Sequence, residues 1–171
     1  MQTVVISNDQ TARVVQAGAQ EAAQALSRLL RRPVDVAGYA TADARQLENS
    51  HDKFVVVLAF EASGGAPGQL VFVLDEAVAA AVVASLTGAS STELSKAALS
   101  ALAEVGNIAA SAFLNGAARV VGATCLPSVP RVSHAPVEQI VVAVLPARPF
   151  HLARLTIDDV GAISLAFSAT G

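Results

Sequence analysis

Apolar residues recur along the chain with two different periods. From Asn8 to about Arg31 they stand at helical spacing, at Val14, Val15, Ala22, Ala25, Leu26, Leu29 and Leu30. Asn8 and Asp9 are good caps at the start, and Pro33 stops the run. PVDVAGYATA and KFVVVLAFE then read as strands, the second rich in β-branched residues. The loop SGGAPG leads into QLVFVLD and predicts a hairpin. DEAVAAAVVASLTG predicts a helix with an Asp start and Gly88 as its C-cap. Ser90, Ser91 and Thr92 break the pattern before a long helix from about Glu93 to Val121, ended by Gly122. Strands are predicted at CLPSVPRV, broken by its prolines, at the β-rich run Val137 to Leu145, and, after a turn at PARP, at His151 to Ile157 and Ala162 to Phe167.

The order of elements repeats. Laying Val14 on Val105 also lays Ala19 on Ala110 and Leu29 on Val120, and similar strands follow each helix. The expectation is a single α+β domain over 1–171, with pseudo-repeat halves at about 9–88 and 91–169. Its long helices should pack on one face of a mainly antiparallel sheet related by a pseudo-two-fold axis.

Composition narrows the function classes. The chain is 53% hydrophobic and 15% charged with a net charge of −3, which excludes an intrinsically disordered chain and makes nucleic acid a poor partner. Six phenylalanines, one tyrosine and no tryptophan give few platforms for base stacking. A lone cysteine, Cys125, allows no internal disulfide and no thiolate metal site. The apolar run Ala77 to Leu86 is too short to span a bilayer, and Val105 to Ala118 carries polar residues and reads as a buried helix. The opening MQTVVISNDQTAR lacks a basic stretch followed by an apolar one, so a cytoplasmic protein is expected.

The candidate chemistry lies in SALAEVGN. Glu104 is the only ionisable side chain from Ala97 to Ala118. It shares a helical stripe with Ser100, Asn107, Ser111 and Asn115, while Leu99, Leu102, Val105, Ala109, Phe113 and Val120 supply an apolar surface elsewhere around the helix. A merely solvated face favours Lys, Glu and Arg; Ser and Asn are poorer helix formers, and Gly106 adds a further cost of about 1 kcal/mol against Ala. A glycine between Glu104 and Asn107 would let another backbone or a partner approach closely.

LSALAEVGNIAASAFLNGAA followed by LPSVP resembles the second signature of the CheC/CheX/FliY family of chemotaxis phosphatases, with wording closest to CheC. The signature positions are Ser100, Glu104, Asn107 and Pro130, with Pro127 as the alternative proline. ALSRLLRRPVDV and QLVFVLDEAVAAAVVASLTG resemble other parts of the family. The resemblance implies hydrolysis of the aspartyl phosphate of a CheY-type response regulator. Asn107 would hold a water in line, Glu104 would pair with a partner lysine, and the partner would supply Mg²⁺. The protein would need no metal of its own.

Two-site CheC proteins repeat the Glu/Asn pair in the first helix. Here those positions are Arg13 and Gln16, so the first site is expected to be degenerate, and Tyr39 falls opposite Pro130 in the repeat. The second half also reads as short between its first two strands. Rival expectations are a non-catalytic module docking a response regulator or the deamidase CheD, and a CheX-like dimeric phosphatase.

Other signals carry less. His51, His134 and His151 lack metal-ligand spacing and read as surface or loop residues. Asp158 and Asp159 read as a solvated turn. SGGAPG precedes a strand and so lacks the helix that cradles phosphate. Arg28, Arg31 and Arg32 read as cations complementing a helix C-terminus, and no G-x-S-x-G motif is present.

Overall fold

A computed structural model describes residues 4–89, 93–145 and 149–170. In chain order its elements are α1 (Asn8–Leu30), β1 (Val34–Ala42), α2 (Ala44–Asn49), β2 (Phe54–Gly64), β3 (Gly68–Asp75) and α3 (Glu76–Thr87), then α4 (Lys96–Val121), β4 (Cys125–Pro127), β5 (Arg131–Pro136), α5 (Val137–Val144), β6 (Phe150–Ile157) and β7 (Gly161–Ala169). The expected break at Ser90–Thr92 and most of the PARP turn lie outside the described residues.

The strands form one seven-stranded sheet in the order β1-β6-β7-β3-β2-β4, with β5 also paired to β2, and every pairing is antiparallel. This order carries the pseudo-two-fold relation. β3 and β7 are neighbours at the centre, β2 and β6 flank them, and β1 and β4/β5 form the edges. The halves therefore interleave within one sheet.

Alternation along β2 sorts the core into two layers. Val56, Leu58 and Phe60 join Val14, Leu26, Leu102, Phe113 and Phe167 in the larger cluster, beneath α1, α3 and α4. Val55, Val57 and Ala59 join Leu47, Val137 and Ile140 in the smaller one, beneath α2 and α5. The long helices thus share one face as expected. The short helices, absent from the sequence reading, cover part of the other.

α5 is a correction. Val137 to Leu145 reads as a strand by its β-branched content, but Val137 to Val144 is helical. Buried Val137 and Ile140 and half-buried Val144 fall at helical spacing, with Glu138 and Gln139 exposed, so docking on the sheet overrides local propensity. The connection that read as short in the second half holds this helix, which packs against α2.

The start of α1 also differs. Ser7 is the N-cap: its Oγ accepts from Gln10 N–H at 3.1 Å, and Gln10 Oε1 accepts from Ser7 N–H at 3.1 Å. Asn8 and Asp9 fall in the first turn instead. The ends of α3 and α4 follow the sequence, with Gly88 and Gly122 in the left-handed conformation at φ 72° and 70°.

By length and composition α4 is apolar enough to cross a membrane. Here Leu102, Val105, Ala109, Phe113, Leu114 and Ala117 are buried, so its hydropathy serves the core.

Candidate functional site

α4 is set rigidly before any chemistry is considered. Ser95 caps it, its Oγ accepting from Ala98 N–H at 3.1 Å. Two glycines fix its placement. A Cβ on Gly116 would lie 2.6 Å from Ala17 O and 2.9 Å from Gly18 Cα, so α1 and α4 touch almost backbone to backbone there. A Cβ on Gly106 would lie 2.9 Å from Leu58 Cδ1 and 3.2 Å from Phe60 Cζ. Gly106 therefore faces the sheet, and the close approach expected at this glycine is made by the chain's own β2 side chains and not by a partner. Its smallness brings Asn107 close to the sheet edge.

With those two faces fixed, helical geometry places the remainder. Ser100, Glu104, Ser111 and Asn115 are exposed, and Asn107 is half-buried. Asn107 lies on the side of α4 away from α1, toward the edge formed by β4 and β5. Glu104 stands one turn earlier, farther out. Among the described residues, neither side chain has a hydrogen-bond or ion-pair partner. They are held in place by the helix alone, with donors and acceptors free.

The structure distinguishes the two candidate prolines. Leu58, beneath Gly106, pairs in register with Val132, which places Pro130 close to the level of Asn107. Pro127 pairs with Ala62, farther along toward the turn that leaves α4. Between them the segment is pinned to β2. Ser128 N–H donates to Glu61 O at 2.8 Å, and Glu61 N–H donates to Ser128 Oγ at 2.9 Å.

The corresponding place in the first half is occupied differently. Arg13 and Gln16 are exposed on α1. The Tyr39 hydroxyl donates to Gln16 O at 3.3 Å, and Gln20 Nε2 donates to the same hydroxyl at 3.4 Å. A cleft of about 280 Å³ between α1 and β1 is lined by Asn8, Gln16, Tyr39, Thr41 and His151. His151 Nε2 lies 2.9 Å from Asn8 Oδ1, and partial burial lowers the pKa of the ring below the ordinary histidine value.

Two apolar positions escape the sequence reading. Ile108 is 42% exposed beside the stripe, and Val129 is 84% exposed between the two prolines. Assigning CLPSVPRV to a strand hid the second, because a strand position is expected to be paired and covered. His51 is another departure: its ring is buried between Asp75 Oδ1, at 2.8 Å from Nδ1, and Ser164 Oγ, at 2.7 Å from Nε2. Ser164 is 2% exposed, so this group ties the α2–β2 connection to the central strands. Asp158 and Asp159 form the β6–β7 turn, and Arg28 and Arg31 lie at the C-terminal end of α1. Among the described residues no group of three His, Cys, Asp or Glu is placed to hold a metal ion.

Residues 98–134, which contain this site, match the CheC-like family model. No curated protein matches the chain in sequence. Solved structures match it nearly end to end. FliY of Thermotoga maritima is 18% identical at a TM-score of 0.74, covering 95% of this chain and 91% of that one. A chemotaxis protein CheX from Desulfovibrio desulfuricans is 13% identical at 0.69, covering 92% and 99%. CheX of Borrelia burgdorferi, in a complex with CheY, BeF3 and Mg²⁺, is 14% identical at 0.70, covering 94% and 99%. The site-bearing helix thus matches the CheC-like family model, and the whole chain shares the fold of the solved FliY and CheX structures.

Proposed function

We propose that this protein is a CheC-like phosphatase that hydrolyses the aspartyl phosphate of a CheY-type response regulator in the cytoplasm, through one site on α4. The observation that carries the reading is the unpartnered Glu104/Asn107 pair on the open side of a helix whose sequence matches the CheC-like family model. The complex of the related CheX with CheY supports the class of partner.

An acyl phosphate is already reactive, so positioning dominates the chemistry. Asn107 holds a water with its side-chain oxygen accepting a hydrogen bond from one water O–H and its amide N–H donating to the water oxygen. That oxygen attacks phosphorus in line, the bond from phosphorus to the aspartate oxygen breaks, and the products are a free carboxylate and inorganic phosphate. Glu104 fixes the register by a charge-assisted contact with a lysine of the partner. Mg²⁺ supplied by the partner would neutralise charge on the phosphoryl group.

The test is the decay of a phosphorylated response regulator with and without this protein. Faster loss of phosphate is expected, and an unchanged rate would refute catalysis. One observation favours a second reading, a docking module without turnover: the first half has Arg13 and Gln16 where a second Glu/Asn pair would stand, with Tyr39 bonded over Gln16. In that case the response regulator binds but its phosphate decays at the unassisted rate.

A further inference from the structure

We infer that Ile108 and Val129 form an apolar collar on either side of the Glu104/Asn107 pair and set the affinity for the response-regulator partner. The inference rests on the functional reading above and adds the surface by which that partner is held.

Position comes first. Ile108 lies in the same helical row as Ala112 and Gly116, and Gly116 touches α1. Ile108 therefore stands on the α1 side of the polar stripe. Val129 belongs to the segment along the opposite side, at the outer edge of β2. Glu104 and Asn107 stand on α4 between Ile108 and that segment.

Exposure and rigidity come second. An isolated exposed isoleucine is unremarkable. Val129 is a different case, because a valine 84% exposed stands on a segment that cannot easily fold it away. Prolines bracket it at Pro127 and Pro130, and Ser128 beside it is tied to Glu61 through both its backbone N–H and its hydroxyl. A segment fixed in this way presents its side chain at little ordering cost on binding.

Physical need comes third. A contact between Glu104 and a partner lysine is weak in open water and strengthens when water is excluded. Apolar residues ringing a polar contact provide that exclusion, as in the rim around binding hot spots. From Ala97 to Ala118 no cation stands on α4 to compete for the glutamate.

The chain supplies its own control. Leu126 is 59% exposed but pairs with Ser63, whereas its neighbours Cys125 and Pro127 pair with Gly64 and Ala62. Cys125 belongs to the core beneath α4, so Leu126 points to the other face of the sheet.

The experiment measures Kd for a response-regulator receiver domain, and KM and kcat for its phosphorylated form, with the unaltered protein and with Ile108→Ser, Val129→Ser and Leu126→Ser. Ile108→Ser and Val129→Ser should each raise Kd and KM about tenfold with kcat held within about twofold. Ile108→Val and Val129→Ile should restore most of the affinity, and Leu126→Ser should change nothing. If the unaltered protein binds and both collar variants keep its Kd and KM, or lose only kcat, the collar is refuted and the functional reading stands. If the Leu126 variant loses as much affinity as the other two, the effect is general apolar surface and the collar is again refuted. Absence of binding by the unaltered protein overturns the functional reading and the collar together.

Discussion

Asn107 and Glu104 sit one turn apart on the same helix, yet their substitutions should affect different constants. Under the proposed mechanism Asn107→Ala removes the group that would orient water, and it should lower kcat about a hundredfold or more. The fold should persist, read as an unchanged thermal melt, because Asn107 has no side-chain partner to lose among the described residues. Glu104→Ala should act through KM, with a loss of about 1–3 kcal/mol for a charge-assisted contact, leaving kcat near its starting value. The helical glycines separate in the same manner, by stability. Gly116→Ala drives a methyl group against the Ala17 carbonyl and Gly18 Cα, where only backbone could give way, and should cost about 1–3 kcal/mol or more in urea denaturation. Gly106→Ala meets the tip of Leu58, which can turn aside, and gains helix propensity, so its cost should be clearly smaller.

At the scale of elements, the start of α1 is tied to β6 by the contact between His151 and Asn8. Partial burial lowers the His151 pKa, so the folded protein favours the neutral ring more than the unfolded chain does. The unfolded chain then binds the extra proton, and stability falls with acidification. The loss should begin as pH drops through about 6.5, the unfolded value, and level off once the lowered folded value is passed. Thermal midpoints measured from neutral to mildly acidic pH should show a shallower decline for His151→Asn than for the unaltered chain. Helix α5 shows how far an element can depart from its composition. Val137 and Ile140 reach the second face of the sheet from one side of a helix. A strand at the same place would turn alternate residues away from that face.

For the whole molecule, the fold is nearly symmetric and the chemistry is not. The pseudo-two-fold sheet gives α1 and α4 matching places, but only α4 carries the Glu/Asn pair. Arg13 on α1 would oppose a partner lysine, and Tyr39 bonds over Gln16. The proposed function therefore places one active site on each chain. The double change Arg13→Ala with Gln16→Ala should leave phosphatase activity within about twofold of the unaltered protein, because neither residue reaches α4's site. A large loss in that folded variant would mean that the first half takes part.

Helical spacing, the caps Gly88 and Gly122, the β-branched content of β2 and its hairpin to β3 are local properties, and they were legible in the sequence along with the three long helices and the polar stripe on α4. The Glu104/Asn107 pair was legible for the same reason: residues a turn apart share a side of any helix. What depends on a surface contributed by distant residues was not legible. The sequence does not say which side of α4 meets the sheet, so Gly106 read as an opening when it is a packing contact with Leu58. Nor does it show that His51 is buried between Asp75 and Ser164, because those partners come from the ends and centre of other strands. The helical state of Val137–Val144 and the outward display of Val129 are of this kind too. In each case local preference is worth tenths of a kcal/mol per residue, while burial of a large apolar side chain is worth about 1.5–3 kcal/mol, so the packed sheet decided.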